Sequence, residues 1–426
     1  MEQLNNMDLV YQNAWVTIVA AAGEDAHFGL PGVGGQRRLH QPSAKIGDEF
    51  LVSTLPDLST VLGATVWATR GWTYQEDILS TRRLYFTEHQ VYYKCQSHEF
   101  CEAVENDLRL PRRESASEKA EMGWKDGREG SPWGNIEAYT KRNLTHGSDI
   151  LKALSGILAA YARSRGFVHA WGLPVAARSM ERWMPSSSRR KPPVNTILRA
   201  GDSSDRWMEG IISALCWSSH QPCTRREGFP SWTWLGWEGQ IQRGTLEVES
   251  TRNVEICLEL DGQKTSWDAL KGRLHHGLEL GQTLHIKGRT MQCSFSYLSL
   301  KDPEPPLLDS QKQCWWAKFP GLFSSAYVEF KLVKKADPGS EFYSKLGSQK
   351  FTGIVLGNDE RGFDRYDHKM IYCPVVLVVD NVERKWERIG YFSFRYPQYV
   401  PESSERQFRE GWMQKYERSA EWFSIV

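Results

Sequence analysis

The stretch RGWTYQEDILSTRRLYFTEHQVYYKC, residues 70–95, places an arginine, a tryptophan and a glutamate on one helical turn ahead of an aromatic segment. At 100° per residue, Trp72, Tyr74, Ile78 and Leu79 form a broad apolar arc. Gln75 falls inside it, Thr73 and Asp77 lie opposite, and Glu76 stands at its border. Trp72 and Glu76 are one turn apart, so an indole wall would partly desolvate the carboxylate and raise its pKa. If this run lines a cleft, Glu76 is the first candidate for chemistry. If it only builds a core, Glu76 is a solvated helix edge and Arg70 an ion-pair partner between elements.

Other chemistry is less well supported. His275 and His276 adjoin, but strand neighbours point to opposite faces, so both could bind one metal only in a loop. Cys216, His220 and Cys223 lie close together without a known zinc spacing, and no C-x-x-C pair occurs among the eight cysteines. G-x-S-x-G is absent, and GLPGVGGQRR, 29–38, lacks the spacing of a phosphate cradle and reads as a turn. No metal and no cofactor are expected. RRES, 112–115, and SSSRRKPP, 186–193, read as solvated basic linkers.

The chain has 426 residues, 40% hydrophobic and 25% charged, which suits a globular protein of two or three domains. Fifty-three Lys and Arg against 52 Asp and Glu give a formal charge of +1, so no overall field favours nucleic acid or an anionic membrane. MEQLNNMDLV lacks the features of a secretory signal and no run is long enough for a membrane span, so a cytoplasmic protein with reduced thiols is expected. Eighteen tryptophans are unusual. Aromatic packing accounts for them most simply, and the alternative is a stacking platform for sugars or bases.

The elements that must position Glu76 are legible in outline. Residues 2–13 suit a short amphipathic helix, and WVTIVAAA, 15–22, a buried strand, which needs neighbours on both sides. RRLYFT and QVYYK alternate with period two and predict a hairpin, though no Asn-Gly or Asp-Gly pins its turn. Helices are expected over 139–166, 207–217 and 403–418, flexible segments over 100–132 and 179–195, and a last strand at WFSIV. From 250 to 400, short alternating runs such as VEICLEL and CPVVLVVD predict a β-rich portion, and Trp232 and Trp234 are placed on one strand face. The fold class is therefore α+β: a partial α/β domain over 1–105, a linker over 106–132, a helical region over 133–225 and a β-rich region over 226–426.

Five ordered blocks resemble the fungal heterokaryon incompatibility (HET) family. They are MDLVYQNAWVTIVAAAGEDAHFGLPGV at 7–33, residues 70–95, YTKRNLTHGSDILKALSGIL at 139–158, FPSWTWLGWEG at 229–239 and ERIGYF at 387–392. The resemblance implies a cytoplasmic regulator of non-self recognition, acting with other proteins of the incompatibility system, whose activation leads to programmed cell death. It leaves the oligomeric state open. The family's opening strands, with a Trp-Ile-Asp…Cys-Ile-x-Gln segment, have no counterpart ahead of residues 15–22, so the domain reads as partial at its N-terminus and that strand is expected to lack a neighbour.

HET domains also look like distant relatives of TIR domains, several of which cleave NAD with a glutamate four residues after a tryptophan. Trp72 and Glu76 match that pattern, although Thr73 stands where the TIR motif has cysteine. In this reading NAD would be the substrate, Glu76 would stabilise the oxocarbenium-like charge that develops as nicotinamide leaves, and Arg70, Trp72 and Gln75 would line the binding site, Arg70 toward phosphate. A third reading is a glycan-binding face of Trp232, Trp234 and Trp237, which requires at least two of them exposed on one flat surface.

Overall fold

In a computed structural model, residues 7–25, 27–103, 131–165, 167–175, 204–244, 248–250, 254–270, 273–274, 280–298, 314–319, 326–359, 374–393 and 418–426 are described. The chain divides into two compact units, residues 1–164 and 165–426.

The first unit is built on a four-stranded sheet of order β1-β4-β5-β6, with β1 Thr17–Ala20, β4 Arg82–Phe86, β5 Val91–Cys95 and β6 Glu99–Cys101. β1 runs parallel to β4 and the other pairs are antiparallel. The parallel pair needs a long crossover, supplied here by a separate hairpin, β2 Ser43–Ile46 and β3 Glu49–Val52, and by α2 Leu58–Gly63, α3 Val66–Thr69 and α4 Gly71–Leu79. Asp57 and Thr65 cap α2 and α3 by accepting from the amides of Thr60 and Ala68. α1 Met7–Asn13, α5 Pro132–Tyr139 and α6 Lys152–Arg165 complete the unit. Val19, Leu58, Val61, Tyr85 and Tyr92 form its sheet-side core.

Several boundaries differ from expectation. The helix expected over 139–166 starts at Lys152, because residues 140–144 instead form a turn whose backbone pairs with the start of α4. The strand expected over 15–22 shortens to Thr17–Ala20. Rather than being buried on both sides, it is an edge among the described residues: it pairs only with β4, and only Val19 of its side chains is buried. Ile18 is 60% exposed. The β4–β5 hairpin forms as expected, and Thr87 closes it without a glycine turn: its hydroxyl donates to the Gln90 carbonyl at 2.7 Å and accepts from the Gln90 amide at 3.2 Å. All but the last two residues of the expected linker, the loop at 179–195, His275–His276 and nearly all of the expected helix 403–418 lie outside the described residues.

Among the described residues, the second unit carries an eleven-stranded sheet. Its strands are β7 Val248–Ser250, β8 Glu255–Leu260, β9 Gln263–Ser266, β10 Leu280–Cys293, β11 Phe295–Leu298, β12 Cys314–Phe319, β13 Ala326–Leu332, β14 Phe351–Asp359, β15 Pro374–Val382, β16 Lys385–Ser393 and β17 Ala420–Ile425. The order is β9-β8-β10-β14-β15-β16-β13-β12-β11, with β7 on β14 and β17 lying along β10 and touching β16. This is the predicted β-rich region, and the molecule is α+β as expected. Val376, Val378, Ile389 and Phe392 bury one sheet face together with Met291, Phe330 and Phe351. A helix, Ser204–Leu215, corresponds to the one expected at 207–217.

Candidate functional site

α4 carries the sequence GWTYQEDIL and begins where residues 140–144 meet it. The Gly71 amide donates to the Asn143 carbonyl at 2.7 Å and the Asn143 amide to the Thr69 carbonyl at 2.6 Å. A Cβ at Gly71 would lie 2.6 Å from Leu144 Cδ2, so a larger residue here would have to push that leucine aside. Arg142 reaches back over the same turn, with its guanidinium 4.7 Å from the Tyr74 ring centroid and Nη1 donating to Thr73 Oγ1 at 3.2 Å. At the other end, Ser80 Oγ donates to the Glu76 carbonyl at 2.6 Å and lies 2.7 Å from Thr17 Oγ1 of β1. Both ends of the helix are therefore fixed to other elements.

Glu76 is half-buried against α1, where the Tyr11 side chain faces its carboxyl. Burial pushes the Glu76 carboxyl above its ordinary range, Arg70 and the Tyr11 hydroxyl pull it back only in part, and Asp77 adds to the rise. The Tyr11 phenol is pushed up to about 12 by burial and then by the Glu76 charge. Arg70 is exposed and acts on Glu76 through its charge, and Trp72 is half-buried. Gln75, expected at a binding cleft, is 1% exposed, and its Oε1 accepts from the Gly156 amide at 2.9 Å, which ties α4 to α6. The structure thus brings Arg70 and Glu76 together and turns Gln75 inward.

Two participants escape a helical-wheel reading. Tyr11 is one, 65 positions before Glu76 in sequence and joined to it only by the fold. The other is Asp77, expected on the polar side of α4. Its carboxylate accepts from Arg83 Nη1 at 2.9 Å and from the Tyr85 hydroxyl at 2.5 Å. Burial alone would raise the Asp77 pKa, but Arg83, Tyr85, Lys94 and Arg142 outweigh it and hold the carboxyl below its ordinary range. Thr73 is also buried, donating to the Trp67 and Arg70 carbonyls at 2.6 and 2.8 Å. The face opposite the apolar arc is therefore enclosed, because β4 and the 140–144 turn cover it. The adjacent carboxyls of Glu76 and Asp77 have been driven in opposite directions, one toward the acid and one toward the anion.

The glycan-binding expectation for Trp232, Trp234 and Trp237 is overturned. All three are at most 1% exposed, and their indole N–H groups donate to the carbonyls of Gln282, Gly172 and Ser231, each at 2.8 Å. Nor does the segment form a strand face, since Trp234–Gly236 is a 3₁₀ turn. Arg225 and Arg226 hold its carbonyls, donating to Phe229, Gly236, Leu235 and Trp237 at 2.7–3.0 Å. Cys216 and Cys223 donate to the Ile212 and Gln221 carbonyls. Among the described residues, no group of three or more His, Cys, Asp and Glu is arranged to hold a metal ion. No described helix is long and apolar enough to cross a membrane.

Compared with known proteins, residues 1–76 match the family model described as heterokaryon incompatibility protein (HET). This match covers α1 through most of α4 and ends at Glu76. No curated protein and no solved structure gives a significant match.

Proposed function

Because residues 1–76 carry the match to the heterokaryon incompatibility family, we propose that the chain serves fungal non-self recognition as a cytoplasmic interaction module whose engagement leads to programmed cell death. The observation that supports this is where apolar surface stands uncovered. Of the thirteen large apolar side chains exposed among the described residues, twelve lie between Leu9 and Val66. The β2–β3 hairpin is the densest part: Phe50 and Val52 stand on one face, Ile46 and Leu51 on the other, each at least 50% exposed. A two-stranded hairpin is marginal by itself, and apolar surface on both its faces suits a partner protein of the incompatibility system that covers it. In the test, the chain is expressed from an inducible promoter in a fungal host and viability is scored. Death is expected, and Ile46→Lys with Phe50→Asp is expected to end it while circular dichroism stays unchanged. Undiminished killing by that double variant would overturn the reading.

A second reading, TIR-like NAD cleavage, is favoured by one feature, a partly desolvated Glu76 carboxyl on which the Arg70 charge acts in favour of the anion. Here Glu76 would stabilise the ribosyl cation and Arg70 would meet the phosphates. Purified protein would then release nicotinamide from NAD, and Glu76→Ala would abolish that release. The two readings separate cleanly, since an interaction module keeps its killing phenotype with Glu76→Ala.

A further inference from the structure

On the second unit, the period-two alternation of β8, β9, β10 and β17 sends Glu259, Lys264, His285, Trp422 and Ser424 to one outer face of the sheet. Ser424 and His285 are register partners across β17 and β10, and Ser424 Oγ lies 2.9 Å from His285 Nδ1. The other ring nitrogen, Nε2, lies 3.2 Å from Glu259 Oε1. With the carboxylate on Nε2, the proton belongs there, and Nδ1 is left as an acceptor for the Ser424 O–H. Glu259 reaches this position beside a bulge between Leu258 and Leu260. A Cβ at Gly281 would come within 2.6 Å of Glu259 Cβ and 2.7 Å of Oε2, so only glycine leaves room for it there.

Hydroxyl, imidazole and carboxylate are thus in a continuous relay, with the nucleophile bonded to the base and the base to its orienting group. The hydroxyl end is open: Ser424 is exposed, and Trp422, two residues away on the same face, is 42% exposed. The Lys264 ammonium sits 3.0 Å from the centroid of the Trp422 ring. The hydroxyl therefore shares this face with an aromatic ring and a cation.

We propose that Ser424, His285 and Glu259 form an acyl-transfer site on this outer face, acting on flat acyl or aryl esters. Ser424 Oγ bonds to the acyl carbon while its proton passes to His285 Nδ1. The ester C–O bond then breaks, and the leaving oxygen takes that proton from Nδ1. Water repeats the sequence in reverse, giving the free acid and restoring the Ser424 hydroxyl. Ser424 and His285 are the catalytic residues, Glu259 is a positioning residue for the imidazole, and Lys264 lends positive charge to the developing oxyanion.

The test treats the full-length protein with a fluorophosphonate, which loses fluoride as the serine oxygen bonds to phosphorus, and locates the adduct by peptide mass. One phosphonyl group is expected on the peptide carrying Ser424. It is expected to vanish in Ser424→Ala and to form at least about a hundredfold more slowly in His285→Gln. Glu259→Ala should slow the labelling, and Glu259→Gln, whose amide oxygen can still accept from Nε2–H, should restore most of the rate, a rescue that a purely structural role for Glu259 would not give. Circular dichroism and thermal melting check that the variants fold. No adduct on Ser424 of the wild-type protein, or an adduct whose rate His285→Gln leaves unchanged, would overturn the proposal.

Discussion

The Tyr11 side chain meets the Glu76 carboxyl, bringing α1 against α4 at the residue singled out for chemistry. The same helix is held a second time, where buried Asp8 pairs with Arg163 of α6. Since burial leaves the folded Glu76 pKa above its unfolded value, the folded state binds this proton more tightly. Its contribution to stability is full below the unfolded carboxylate range and is lost as pH rises through the raised folded value. Glu76→Gln should therefore gain stability relative to wild type as pH rises from about 4 to 8. Urea denaturation of both proteins across that range checks it, and a difference that does not move with pH contradicts it. Tyr11→Phe removes a hydroxyl that favours the anion, so it should move the transition to higher pH.

Asp77 behaves in the opposite sense. Its folded pKa is depressed, so its contribution is present above the unfolded carboxylate range and is lost as pH falls through the folded value. Asp77→Asn keeps the shape but leaves the Arg83 guanidinium enclosed without its counter-charge, which should cost about 3–5 kcal/mol near neutral pH. Urea midpoints at neutral and acid pH measure this, and the gap between wild type and variant should narrow in acid. A loss below about 1 kcal/mol at neutral pH would show that Asp77 is not tied to Arg83 as described.

The strands of the second unit were readable in the sequence because an antiparallel sheet with one face buried imposes alternation: Ile256, Leu258 and Leu260 are buried while Glu255, Cys257 and Glu259 are not. The β4–β5 hairpin was readable for the same reason. α4 was read as a helix correctly but its surroundings were not. A wheel describes one helix against one core, whereas α4 is enclosed on both sides, so Thr73 and Asp77 were placed toward water and the Glu76 partner, Tyr11, was out of view. The WTWLGW segment misled in another way. Alternating tryptophans suggest a strand, but Arg225 and Arg226 satisfy carbonyls that a strand ladder would have used, and the backbone folds into a turn around them.

Gly156 marks where three elements meet. A Cβ there would lie 2.6 Å from Gln75 Oε1 and 2.9 Å from Asp8 Cβ, so alanine must displace the bond from the Gly156 amide to Gln75. Helix propensity favours alanine by about 1 kcal/mol, and crowding in a packed interior costs about 1–3 kcal/mol. With a buried hydrogen bond also lost, Gly156→Ala should lower the stability of the first unit. A thermal melt that rises in this variant would show that α4 and α6 are less closely packed than described.

ERIGYF and FPSWTW, far apart in sequence, meet at Arg388. This side chain is fully buried, stacks with its guanidinium 3.8 Å from the Trp217 ring centroid and donates through Nη2 to the Trp217 carbonyl at 2.5 Å, while its backbone amide donates to Ser231 Oγ at 3.1 Å. Among the described residues its Nε and Nη1 have no hydrogen-bond partner. Burial pushes its pKa down to about 9, and the Cys216 and Tyr391 side chains oppose that shift. Two unsatisfied donors on a buried charge offset most of what one bond and one ring contact return, since each orphan forfeits about 1–3 kcal/mol of hydration against about 1.5–3 kcal/mol for the charged bond and about 2 kcal/mol for a desolvated cation over a ring. Methionine fills a similar apolar volume without a charge to desolvate, and the amide bond to Ser231 survives the change. Arg388→Met should therefore match or exceed wild-type stability, by up to about 3 kcal/mol in chemical denaturation of the second unit's transition. A loss of more than about 2 kcal/mol would mean that the stack on Trp217 holds the Trp217–Ser231 region in place more strongly than the orphaned donors weaken it.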